Sequence, residues 1–122
     1  MIRREVIEKA IAAHADWKGR LRSAVSSGKF DVPVSTVRMD NCCDFGKWLY
    51  GNDISPADAS SERYGKVKQM HAEFHKLAAA VVEKAISGQS EAAANAIAPG
   101  SSYAILSSTL ISELVKWRDT AQ

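Results

Sequence analysis

Apolar side chains recur every three or four residues over most of the chain, the period of α-helices buried on one side. Ile7, Ile11, His14, Trp17, Leu21 and Val25 form the first stripe. It predicts an amphipathic helix from about Ile2 to Val25, ended by Ser26-Ser27-Gly28. The second stripe is Tyr64, Val67, His71, Phe74, Ala78, Val81 and Ala85, widened by His75, Leu77 and Val82. It predicts a helix over Glu62 to Ile86, with Gly88 as the residue that ends it. A last stripe, Tyr103, Leu106, Leu110, Leu114 and Trp117, runs towards the C-terminus. It continues a helical stretch that begins near Ser90 and is broken at Pro99-Gly100, after which Ser101 or Ser102 caps the remainder.

Between the first two long stripes the pattern is less regular. Pro33 and the β-branched Val32, Val34 and Thr36 argue against helix from Lys29 to Thr36. Asp40 reads as the N-cap of a short helix reaching about Tyr50 and stopped by Gly51-Asn52-Asp53. Ser55-Pro56 reads as a cap followed by proline at the first helical position, opening either a brief turn or the next long helix. Strand signals are almost absent. The expected fold is all-α, an antiparallel four-helix-type bundle with a short extra helix carrying a Cys-x-x-Gly-Lys-Trp motif. It is expected as one domain over residues 1–122.

Composition narrows the function classes. A chain of 122 residues is long enough for one sizeable core. The net charge is +2, with the basic residues dispersed, so no electrostatic footprint for nucleic acid is present. No apolar run approaches the roughly 18 residues of a membrane span. The start, Met1-Ile2-Arg3-Arg4-Glu5, lacks the apolar region of a signal peptide. The only two cysteines, Cys42 and Cys43, are adjacent and make a poor structural disulfide, so a reducing, cytoplasmic location is expected.

The candidate chemistry lies in Asn41-Cys42-Cys43-Asp44-Phe45-Gly46-Lys47-Trp48-Leu49-Tyr50 and in the three histidines of the chain. His71 and His75 share one face of a helix, four residues apart, and His14 lies on the apolar face of another. Imidazole and thiolate are the ligands Zn²⁺ prefers, and four close a tetrahedron. A single histidine on an apolar stripe is more often a hydrogen-bonded core residue than a ligand. Three together are harder to explain that way, because each buried ring needs its own polar partner. The expectation is a metal site of His14, His71, His75 and one cysteine. Helical periodicity does not choose the cysteine. Cys42 aligns with Phe45 and Leu49, Cys43 with Gly46 and Tyr50. Gly46, one turn from Cys43, would admit a close approach by another helix or a ligand, and so favours Cys43. Trp17, Phe45, Trp48, Phe74 and Trp117 are most simply core aromatics, some of them forming a dry wall around the site. Asp40, Asp44 and Glu73 are ordinary surface carboxylates unless one of them orients a ligand imidazole.

These residues resemble the bacterial chemoreceptor zinc-binding (CZB) domain family. The resemblance rests on His14-x-x-Trp17, on Cys43-Asp44-Phe45-Gly46-Lys47-Trp48-Leu49-Tyr50-Gly51 and on His71-x-x-Phe74-His75, with Ala98-Pro99-Gly100-Ser101 before the last helix. It implies a helical bundle holding one Zn²⁺ through His14, Cys43, His71 and His75. It also implies a sensory or regulatory role without enzymatic activity, often as a homodimer. Such domains work beside a chemoreceptor signalling or diguanylate cyclase module, with zinc or cysteine oxidation by hypochlorous acid as the signal. These 122 residues include no output module, so the chain is expected to be either a stand-alone member or an excised piece, and Cys42 departs from the family's single cysteine. Two other classes compete. Three histidines and a water would make a hydrolytic zinc enzyme, and a metal-free bundle would be a plain interaction module. A di-iron carboxylate bundle is disfavoured, because no Glu-x-x-His pair occurs.

Overall fold

The computed structural model describes residues 3–120. Seven helices occur among them, and no strand. They are α1 (Arg4–Ser27), α2 (Val34–Arg38), α3 (Asp44–Leu49), α4 (Pro56–Ala59), α5 (Glu62–Ile86), α6 (Ser90–Ala96) and α7 (Ser102–Thr120). The expected first residue of α1, Ile2, lies outside the described residues. The helix continues past Val25 to Ser27 and stops at Gly28, whose left-handed φ of 70° lets its N–H return 2.8 Å to the Ala24 carbonyl. The predicted limits of α5 hold, and Ser61 caps it by accepting from the Tyr64 N–H.

α1, α5 and α7 form the frame, with α6 packed on α5 and α1. Ile7, Leu21, Phe74, Val81, Leu110 and Leu114 are fully enclosed between them. α5 and α7 run antiparallel, since Arg63 pairs with Glu113, Tyr64 meets Trp117 and Phe74 meets Tyr103. α1 and α5 run in the same direction: His14 meets His71, Trp17 meets His75, and Gly28 lies beside the Ala85 carbonyl. The antiparallel expectation therefore holds for the pairs that include α7 but not for α1 with α5. Two parallel neighbours need a long crossover. Residues 29–61 provide it, and they carry the cysteines.

The crossover also holds the differences from the sequence reading. Residues 34–38 are helical, because Pro33 stands just outside the first turn, where its missing N–H costs nothing, and Val37 is buried. Asp40 is not an N-cap; its carboxylate accepts from the Tyr50 hydroxyl. The N-cap of α3 is Cys43, so neither cysteine lies within a helix and the helical-wheel comparison of the two does not apply. Ser55-Pro56 takes one of the two roles expected of it and opens a brief turn, α4, with Ser55 accepting from the Asp58 N–H. Among the described residues no helix is long and apolar enough to cross a membrane.

Candidate metal centre

α1 and α5 bring three imidazoles together in the core. His14, His71 and His75 are 2 %, 0 % and 2 % exposed, so no ring is solvated. His71 and His75, one turn apart, place their Nε2 atoms 3.1 Å from each other. Cys43 Sγ completes the cluster, 3.3 Å from His71 Nε2 and 3.5 Å from His75 Nε2. The ligand atoms of His14, Cys43, His71 and His75 all lie within 4.8 Å of one another. Bonds of ~2.0–2.1 Å to nitrogen and ~2.3 Å to sulfur put tetrahedral edges at ~3.3 Å for N···N and ~3.6 Å for N···S. The three edges among Cys43, His71 and His75 are close to, and slightly shorter than, those around one tetrahedral ion.

The tautomers are set from outside the cluster. His14 Nδ1–H donates to the Ala10 carbonyl at 2.7 Å, and His75 Nδ1–H to the Val37 carbonyl at 2.9 Å. Each bond leaves an Nε2 lone pair turned inward. His14 Nε2 is buried and has no hydrogen-bond partner among the described residues. Inward lone pairs beside a sulfur, one of them unpartnered, call for a cation. His71 Nδ1 is also unpartnered, so no hydrogen bond from outside the cluster orients that ring. The backbone carbonyls of Ala10 and Val37 do the work considered for carboxylates, since Asp44 and Glu73 are exposed. Sequence reasoning had no signal for them: any residue offers a carbonyl.

Burial governs the titration of these groups. It lowers His14 to about 4, with the Ala10 carbonyl opposing and His75 assisting. It lowers His71 to about 2, helped by charge repulsion from His14 and His75. His75 is lowered too, against the Val37 carbonyl. All three rings are thus held neutral, the form that ligates. Burial pushes the Cys43 thiol up, against the N–H groups of Gly46, Phe45 and Cys43. A cation at the cluster reverses that balance, because a coordinated thiol is deprotonated.

The short helix α3 aims the sulfur. Cys43 Sγ accepts from the Gly46 N–H at 3.3 Å, as an N-cap side chain does. Gly46 is the close-approach residue the sequence indicated, but what approaches is the chain itself. A Cβ there would overlap the Asp40 carbonyl group. Phe45 meets His14 and His71 edge-on and stacks on Trp48. Phe74 meets His14 and His75, and Trp17 meets His75. These rings are the dry wall. Cys42 stays outside the cluster, with Sγ 3.9 Å from Met39 Sδ and 3.7 Å from Asn41 Oδ1. A groove of about 600 Å³ lies beside the site, and Trp17, Trp48, both cysteines and His14 line it.

A family model, the chemoreceptor zinc-binding domain, matches residues 14–82. The match begins at His14 and includes Cys43, His71 and His75; the Ala98–Ser101 resemblance lies beyond it. No curated protein and no solved structure matches the chain. The matched span is more than half of the sequence and contains the whole cluster, and the chain belongs to the chemoreceptor zinc-binding domain family.

Proposed function

We propose that this domain binds one Zn²⁺ through His14, Cys43, His71 and His75 and acts as a cytoplasmic sensory domain in bacterial signal transduction. The observation that carries this reading is the spacing of the cluster: edges of 3.1, 3.3 and 3.5 Å among three of the four ligand atoms. Zinc bound there would hold the Cys43 sulfur as a thiolate and join the crossover to α1 and α5. The domain is not an enzyme on this reading. Sulfur stands where a catalytic site would keep water, and a site with four protein ligands is closed.

The signal is loss of the Cys43 bond, by removal of zinc or by oxidation of the sulfur. Thiolate is the oxidisable member of the ligand set, and oxidised sulfur is a weaker ligand. Cys43 and His14 line the groove, whereas His71 and His75 do not, so a small oxidant meets the sulfur without unfolding the bundle. Release of Cys43 frees α3 and its neighbours to move against α1 and α5. A second copy of the chain, or a chemoreceptor or diguanylate cyclase output module, would read that movement.

Metal analysis of protein purified without added metal tests the site. The expected result is one zinc per chain with one sulfur and three nitrogens in its X-ray absorption shell. A shell without sulfur would move the reading to the enzyme class. For the signal, substoichiometric hypochlorous acid is expected to release zinc and raise backbone exchange around Cys43. Zinc retained on oxidised protein, with exchange unchanged, would make the metal a permanent staple.

A further inference from the structure

Cys42 has no place in the four-ligand cluster, yet it shares the groove with Cys43. The two sulfurs face different surroundings. Cys43 Sγ is turned to His71 and His75, and Cys42 Sγ to Met39 and Asn41. Both thiols are free and half-buried. They lie in the irregular turn between α2 and α3, where the backbone can rotate without breaking a helix interior.

We infer that Cys42 is a resolving thiol, which captures oxidised Cys43 as a vicinal Cys42–Cys43 disulfide and makes the release of the metal ligand reversible. The inference rests on the oxidation-sensing reading above. With hypochlorous acid as oxidant, the Cys43 thiolate attacks chlorine, forms an S–Cl bond and releases hydroxide. The Cys42 sulfur then attacks Cys43 Sγ, chloride leaves, and the Cys42 proton combines with the hydroxide as water. Each sulfur gives up one electron and the chlorine takes both. Adjacent residues across a trans peptide have Cα atoms ~3.8 Å apart, below the ~4.4 Å lower end for ordinary disulfides. The ring therefore closes only with local distortion, and strained disulfides are the readily reduced ones. Closure also draws Cys43 Sγ towards Cys42, away from His71 and His75, and costs α3 the cap that Gly46 bonds to. Without a resolving thiol, a second oxidant molecule takes the oxidised cysteine on to the irreversible sulfinic acid.

The test treats zinc-loaded protein with one equivalent of hypochlorous acid and maps the peptide spanning residues 39–47. The expected product lacks two hydrogens, with both thiols closed to alkylation, and thiol reductant followed by zinc restores the loaded state. Cys42→Ser, which leaves all four ligands in place, is expected to release zinc on oxidation and, given a second equivalent of hypochlorous acid, to accumulate sulfinic acid and fail to reload. Oxidation of Cys43 with Cys42 still open to alkylation would overturn the resolving role and leave the sensing reading intact. So would a disulfide between chains on a non-reducing gel, or reloading by Cys42→Ser equal to that of the parent. Cys43 remaining reduced would overturn both readings.

Discussion

The metal cluster draws on two regions built in opposite ways. α1 and α5 are 24 and 25 residues long and place their histidines by helical repeat alone. His71 and His75 face one point because residues four apart on a helix must. The crossover, residues 29–61, contains helices of five, six and four residues. Helices that short have little stability of their own. The crossover nevertheless supplies the sulfur and, from Val37, the carbonyl that orients His75. One region is a frame with long apolar stripes of its own and is expected to stand without metal; the other is expected to take its position from the frame and the site. A ligand on each makes the metal a report on whether the two are joined.

The largest effects should come from cutting that join. Cys43→Ala and His71→Ala each remove a ligand, and zinc affinity is expected to fall by more than the ~100-fold that follows loss of a partner behind a ligand. Competition against a chelator measures it. Removing zinc from the parent protein should leave α1, α5 and α7 helical by circular dichroism, while hydrogen exchange quickens first between Val37 and Leu49. Uniform quickening across α1 and α5 would show that the frame too depends on the metal.

Acid should act on the frame next. In metal-free protein the folded-state values of His14, about 4, and His71, about 2, lie below the ordinary 6.5. The unfolded chain then binds more protons than the folded one below pH 6.5. Stability is complete above that pH and falls as pH drops, with the His14 contribution levelling near pH 4 and that of His71 continuing lower. Each lowered histidine contributes a slope of about 1.4 kcal/mol per pH unit within its window. Urea titrations of metal-free protein between pH 7 and pH 4 measure the sum. A flat profile would mean that the rings are not buried neutral.

Two glycines give the finest contrast. Gly46→Ala inserts a Cβ into the Asp40 carbonyl group, and the expected loss is about 1–3 kcal/mol, with weakened zinc retention because Cys43 is aimed through the same turn. Gly19→Ala, on the exposed side of α1, meets nothing within 4 Å. It should gain about 0.5–1 kcal/mol and leave zinc binding unchanged. Thermal melts of the two variants with and without zinc separate the cases. Equal effects would erase the distinction between frame and crossover.

The difference between the regions is also a difference in what could be read from residues. The stripes of α1, α5 and α7, the limits of α5 and the three inward histidines are legible in the sequence, because helical hydrogen bonds and their 3.6-residue period are local. The crossover is not legible in that way. α2 and α3 are held by burial of Val37, Phe45 and Leu49, so propensity at Val34 and Thr36 points the wrong way. Only the tertiary structure decided that α1 and α5 run parallel, that Cys43 caps α3 and so faces the histidines, that the Gly46 gap is filled by Asp40, and that the Ala10 and Val37 carbonyls set the tautomers. The parallel pairing and the Val37–His75 bond depend on where groups far apart in the chain meet, and the remaining contacts involve main-chain groups, which leave no mark in the order of side chains.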